Sequence, residues 1–313
     1  MVHEGMESAQ SACRGGTLVT ISRKAYLAAL ITVVFWSSAF VGIRIGLGSF
    51  NPYHLVLLRF LVASLVFIVL VPVFKIRPLP RKTWPRVIVS GVVGLTIYHT
   101  ALSIGEQTVN PATASFIIAG APIISAIFAS QWLKEKYTRL GWLGVVISFL
   151  GVLVITGFGS SFHSDALLIV LSTVATSIYF IVEKPLLATY RTLDVTAWVT
   201  WAGTLPMLLY WHGFLNQLSA ATVNSIGWVV YIGIFPAAVA YLTWNIALAH
   251  ADANQVTPFL YLSPILAAGL SWVMLHQVPG WPVWIGGLFV LAGVILVQRY
   301  GKPRGPILED LSA

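Results

Sequence analysis

Ten predominantly apolar stretches follow one another along this chain, each about the length a helix needs to cross a bilayer. They run Ala25–Leu47, Tyr53–Phe74, Pro85–Gly105, Pro111–Leu133 and Leu140–Gly157, then Asp165–Leu187, Val195–Trp211, Ser225–Ala247, Ala253–His276 and Trp281–Gln298. The connections are short and rich in turn residues, among them Asn51-Pro52, Arg77-Pro78-Leu79-Pro80 and Pro279-Gly280. Hydrocarbon offers the backbone no water, so such segments must satisfy their own hydrogen bonds as helices. The pattern predicts an all-α integral membrane protein of ten transmembrane helices.

Composition removes the main rivals. Hydrophobic residues make up 58% of the 313 and charged residues 9%, against about 25% charged in an average soluble domain. Too few charges remain to solvate a globular surface, which excludes an ordinary soluble enzyme, a disordered chain and a collagen-like fibre. The single cysteine, Cys13, permits no intramolecular disulfide and no cysteine metal cluster. No metal ligand set, Walker sequence or hydrolase motif is visible, so the chain is read as no enzyme, with no cofactor and no direct use of ATP.

Charge placement sets an expected orientation. With the first 24 residues as a cytoplasmic tail, the alternating connections on that side hold 16 of the 18 Lys and Arg, and the opposite connections hold none. This is the positive-inside pattern, with residues 299–313 as a second cytoplasmic tail. The basic pI near 9.7 then reflects topology, and nucleic acid is not an expected partner. The expected location is a bacterial-type plasma membrane. Arg44 and Arg59 are the two cations that fall within spans.

The chain also repeats itself. An ungapped offset of 142 residues pairs Pro122 with Pro264, Trp142 with Trp284, Gly144 with Gly286 and Gly151 with Gly293; an offset of 140 pairs Phe40 with Phe180. Residues 25–157 and 165–298 therefore read as two five-helix units. Five is odd, so the second unit enters the membrane inverted. Two like halves that exchange shapes move access from one side to the other, which favours a transporter.

The motifs within these units resemble the EamA type of the drug/metabolite transporter superfamily. The likeness is carried by Trp36-Ser37-Ser38-Ala39-Phe40, Arg59 after Asn51-Pro52, Ala119-Gly120-Ala121-Pro122, and Leu133-Lys134-Glu135 with Gly141 and Gly151. Leu262-Ser263-Pro264, Trp284 to Gly286 and Gly293 repeat it, while Gln277 stands where the second repeat often has Glu. The resemblance implies a ten-helix basket with a central cavity, and export or exchange of a small polar metabolite, foremost an amino acid. Phosphorylated or nucleotide-linked sugars are an alternative, and a channel a more distant one. Monomer and homodimer both remain open.

Several residues are candidates for contact with substrate. Arg59 either holds carbonyls as a structural cation or clamps a substrate carboxylate, since guanidinium binds carboxylate through two parallel bonds. Tyr98 and His99 lie mid-span, and the 142-residue offset sets His99 opposite Tyr241, which shares a helix with Trp244 and Asn245. Trp36, Ser37 and Phe40 on the first span and Tyr179 on the sixth form stripes that line either a cavity or a packing face. Asn110 and Thr113 open the fourth span, and Thr257 and Tyr261 lie at the start of the ninth, both beside prolines. Pro122 and Pro264 are candidate kink or gating positions. Glu106 is expected as a wetted loop acid, and Glu183 as a solvated or ion-paired acid at a helix end. Glycines of the fifth and tenth spans suit close helix packing or a dimer face.

Overall fold

The computed structural model describes residues 22–121, 123–124, 127–128, 138–156, 164–250 and 256–300, and among these the protein is helical with no strand. Thirteen α-helices are numbered here in chain order. They are α1 Arg23–Gly46, α2 Pro52–Phe74, α3 Trp84–Gly91, α4 Tyr98–Gly105, α5 Pro111–Ile118 and α6 Arg139–Thr156. There follow α7 Ser164–Thr189, α8 Thr192–Met207, α9 Phe214–Ala220, α10 Val223–Ile234, α11 Ala240–His250, α12 Leu262–Leu275 and α13 Trp281–Tyr300. Among the described residues, six continuous stretches are long and apolar enough to cross a membrane: Arg23–Gly46, Pro52–Phe74, Arg81–Gly105, Ser164–Thr189, Val223–Leu248 and Trp281–Tyr300. The chain is a multi-span helical membrane protein.

Local chemistry explains where the helices begin and end. Asn51 caps α2 by accepting a hydrogen bond from the His54 amide at 2.8 Å, with Pro52 in the first turn, where its missing N–H costs nothing. Asn110 and Pro111 repeat this at α5, the cap being to Ala112. Helix α2 stops at Lys75 in the left-handed conformation, just before the two prolines at 78 and 80. Replacing Asn51 with alanine is expected to destabilise the protein by about 1 kcal/mol, seen as a lower melting temperature in detergent.

Three features depart from the regular spans read in the sequence. The third span is interrupted by a π-helical segment, Val92–Ile97, between α3 and α4, and the eighth by another, Phe235–Val239, between α10 and α11. The ninth opens on a 3₁₀ turn, Thr257–Tyr261, because Pro258 has no amide to donate. A short helix, α9, lies in the connection after the seventh span, where no helix was expected.

Close approaches fix the packing. A Cβ on Gly144 would meet the Gly293 carbonyl at 2.6 Å, and one on Gly151 the Gly286 carbonyl at 2.5 Å, so α6 and α13 touch backbone to backbone. The glycine stripes expected to serve either packing or a dimer face thus meet each other within the chain. Gly91 on α3 meets Val199, Ala202 and Gly203 on α8, while Gly233 on α10 meets Arg59 and Val62 on α2. The ends of α2 and α8 identify their directions: Arg191 bonds the Phe74 carbonyl, and Thr204 bonds Ser64 and the Phe60 carbonyl, so these helices are antiparallel. Trp84 stacks near Trp198 and Thr100 bonds Tyr210, so α3 and α4 run parallel to α8 and antiparallel to α2.

Candidate functional site

A polar and aromatic cluster lies where α2, α4, α7, α1 and α11 converge. Arg59 enters it from the second turn of α2 and is buried at 2% exposure. Its Nη1 lies 3.1 Å from His99 Nδ1 on α4, and the other ring nitrogen of His99 lies 3.3 Å from the Tyr241 hydroxyl on α11. The guanidinium carbon stands 5.6 Å from the centre of the Phe60 ring, which also packs on His99 at 4.7 Å. Arg59 Nε has no hydrogen-bond partner.

An aromatic wall continues from Tyr241. Trp36 on α1 packs edge-on against it with ring centres 5.4 Å apart and against Trp244 at 5.5 Å; Tyr179 on α7 stands 6.1 Å from Tyr241. Trp36 is oriented by an indole bond to the Pro236 carbonyl, an acceptor in the π-helical segment before α11. Tyr98 lies against His99 at 4.4 Å and is half-buried, while His99 is buried. Edge-on and tilted rings with hydroxyl and indole tips suit a ligand with one apolar and one polar end.

The remaining candidates sit elsewhere or are occupied. Ser37 donates to the Val33 carbonyl and shares a second hydrogen bond with the Ser263 hydroxyl, and Phe40 is buried in the main apolar core. Asn245 donates to Thr196 on α8 at 2.8 Å, which binds α11 to α8. Asn110 donates to Gln277 at 3.1 Å besides capping α5; Thr113 is half-buried one turn further on. Thr257 begins the 3₁₀ turn that Tyr261 ends, and the Tyr261 hydroxyl is buried with no partner. Pro264 falls in the first turn of α12, directly after that turn. Pro122 lies outside the described residues.

Two acids are placed differently from expectation. Glu106, read as wetted, is 0% exposed at the end of α4, and neither carboxylate oxygen has a hydrogen-bond partner. Glu183, read as solvated or ion-paired, is 2% exposed, with Oε1 unpartnered. Each sits on a helix face turned into the bundle, an orientation that distance from the span end does not reveal. Arg44 bonds the carbonyls of Glu106 and Gln107, holding the end of α4 in place. Two other contacts were not anticipated: Ser64 with Thr204, and Thr196 with Asn245. The first was recoverable, since its partners differ by the same 140 residues that pair Phe40 with Phe180.

A bundle of apolar helices around a buried polar cluster defines an integral membrane protein built to handle a polar group inside the bilayer. The model of the EamA-like transporter family matches residues 23–157 and again residues 163–299, and the chain belongs to that family. It is accordingly a membrane transporter and not an enzyme. It is 32% identical over 267 residues to the uncharacterized transporter YdfC of Bacillus subtilis, covering 84% of this chain and 87% of that one. It is 34% identical over 282 residues to a probable terminal-alkyne amino-acid exporter of Streptantibioticus cattleyicolor, covering 88% and 94%. A solved crystal structure matches 87% of this chain and 96% of its own at a TM-score of 0.64 and 22% identity, a likeness of fold alone.

Proposed function

We propose that the protein is a secondary transporter that exports or exchanges a small amphipathic metabolite, most specifically an amino acid, by alternating access between two inverted five-helix repeats. The repeats are residues 25–157 and 165–298, making ten spans around a central cavity. Tails 1–24 and 299–313 face the cytoplasm of a bacterial-type plasma membrane, and the Asn51 end of the bundle faces outward.

The observation that carries this reading is the meeting of symmetry mates at the polar cluster. His99 and Tyr241, 142 residues apart, share a hydrogen bond, with Arg59 on the far side of the imidazole. Ser64 meets Thr204 at a separation of 140, and Ser148 bonds the carbonyl of Val290 at 142. The glycine contacts are reciprocal as well. Gly144 touches Gly293, the mate of Gly151, and Gly151 touches Gly286, the mate of Gly144. A residue meets its own mate only on a two-fold axis, and reciprocal pairs flank such an axis. The two π-helical segments overlap at the 142-residue offset, Ile97 and Val239 ending them. A site on that axis keeps the same partners whichever half opens, as alternating access requires.

The substrate class rests on the cluster's chemistry. Arg59 is the single buried Lys or Arg among the described residues, which suits one carboxylate better than a phosphorylated sugar needing several cations. Trp36, Tyr179, Tyr241 and Trp244 supply an apolar wall. The related probable exporter from Streptantibioticus is named for an amino-acid substrate, in line with this chemistry. The candidate contacts are Trp36, Arg59, Tyr98, His99, Tyr179, Tyr241 and Trp244, with Ser37, Phe40 and Asn245 as their packing support. Asn110, Thr113, Thr257, Tyr261 and Pro264 belong to the gates at the two ends.

Purified protein in liposomes loaded with labelled amino acids tests the proposal. Efflux or exchange above that of empty liposomes, saturable in at least one apolar or aromatic amino acid, is expected. Equal flux with and without protein for every amino acid tried overturns the substrate class.

A further inference from the structure

A carboxyl group and a guanidinium are buried on neighbouring helices of this bundle without pairing to each other. Helices α2 and α4 pack side by side, yet no carboxylate lies within 4.0 Å of a guanidinium nitrogen of Arg59 among the described residues. Both oxygens of Glu106 and the Nε of Arg59 lack hydrogen-bond partners among the described residues. Burying an ion without a partner costs several kcal/mol, and a direct ion pair would recover part of that. Neither group has taken that route.

Their elements aim them at one another. A Cα–Cβ bond tilts toward the N-terminus of its helix. Arg59 is in the second turn of α2 and leans toward the Asn51 end. Glu106 follows the last residue of α4, which is antiparallel to α2, and leans back toward His99. The chain between His99 and Glu106 is seven residues, about 10 Å of helix rise. The carboxyl group of Glu106 and a guanidinium braced on His99 therefore lean toward the same level of the bundle. The charged and titratable groups that act on Glu106 are Arg59, Arg44 and Tyr98. Arg44 reaches the backbone carbonyl of Glu106, leaving the carboxylate unbonded.

We propose that Glu106 is the ammonium-binding half of the amino-acid site whose carboxylate-binding half is Arg59. The inference rests on the amino-acid reading above and sharpens it: the substrate is taken as a zwitterion, and a molecule carrying the carboxylate alone is a poor substrate. The α-ammonium and α-carboxylate of one amino acid are adjacent and opposite in charge, so they meet Glu106 and Arg59 in a single orientation. The side chain is then directed to the Trp36, Tyr241 and Trp244 wall. The pair also sets specificity, since an anion such as a free carboxylic acid leaves Glu106 buried and unpaired.

The test compares three ligands of one side chain in reconstituted wild-type protein: the amino acid, its des-amino acid and its methyl ester. Each analogue is expected to compete at least about 10-fold more weakly than the amino acid, the scale of one lost charge-assisted hydrogen bond. In Glu106→Gln, KM for the amino acid is expected to rise by about 10- to 100-fold, while inhibition by the des-amino acid changes less than about 3-fold. Glu106→Asp is expected to restore part of the affinity. A des-amino acid that competes as well as the amino acid overturns the proposal, as does a Glu106→Gln variant that weakens both equally or neither. The wild-type competition holds even where the variant does not elute as folded protein. Absence of amino-acid flux in the wild type is a different result, and it removes the parent reading instead.

Discussion

Arg59→Met is expected to reduce transport by at least about 100-fold while leaving the protein as stable as before or more so. The reasoning starts from cost. A cation within a span disfavours insertion by about 2.5–3.5 kcal/mol, and here the charge is buried with no carboxylate among the described residues touching it. Its visible rewards are one contact to a histidine nitrogen and an aromatic face, worth about 1–2 kcal/mol together. Methionine fills a similar volume, packs on Phe60 and carries no charge to bury. Exchanging a buried ion for an apolar residue of like size is often neutral or stabilising. A residue kept at a net cost to folding is kept for a ligand, and a paired guanidinium–carboxylate contact is lost at about 1.5–3 kcal/mol per bond. Thermal melting in detergent together with exchange in liposomes separates the two roles. Transport at wild-type rates in a destabilised variant would make Arg59 a structural cation.

The bundle was legible in the sequence because hydrocarbon imposes one rule on every segment that crosses it. Apolar runs of sufficient length must be helices, so most span positions follow from composition alone. Boundaries were legible where a cap or proline marks them, as at Asn51-Pro52 and Asn110-Pro111. The π-helical segments were not, because an inserted residue in a helix leaves the hydrophobic pattern almost unchanged. The meeting of His99 with Tyr241 was anticipated from the 142-residue offset, since a symmetry mate is a statement about space as well as about sequence. Glu106 and Glu183 were misplaced for the opposite reason. Whether an acid near a helix end faces water or the interior depends on about 100° of rotation per residue, and an apolar run carries little amphipathic signal to fix that angle.

Gly151→Ala and Gly293→Ala are each expected to lower the melting temperature markedly. The added Cβ of the first would sit 2.5 Å from the Gly286 carbonyl and 2.7 Å from the Val290 amide. That of the second would sit 2.3 Å from the Gly144 carbonyl and 2.2 Å from Ser148 Oγ. The obstructing atoms are mostly backbone, which cannot rotate away, so α6 and α13 must separate along their contact. Overpacking of this kind costs about 1–3 kcal/mol, and here it also forfeits the Ser148 bond to the Val290 carbonyl. Gly269→Ala is the control, since a Cβ there meets nothing within 4 Å and alanine favours the helix by about 0.5–1 kcal/mol. The double variant Gly144→Ala with Gly151→Ala is expected to cost less than the sum of its parts, because one separation of the helices accommodates both methyls. Equal melting temperatures for Gly151→Ala and Gly269→Ala would show that α6 and α13 are not in backbone contact.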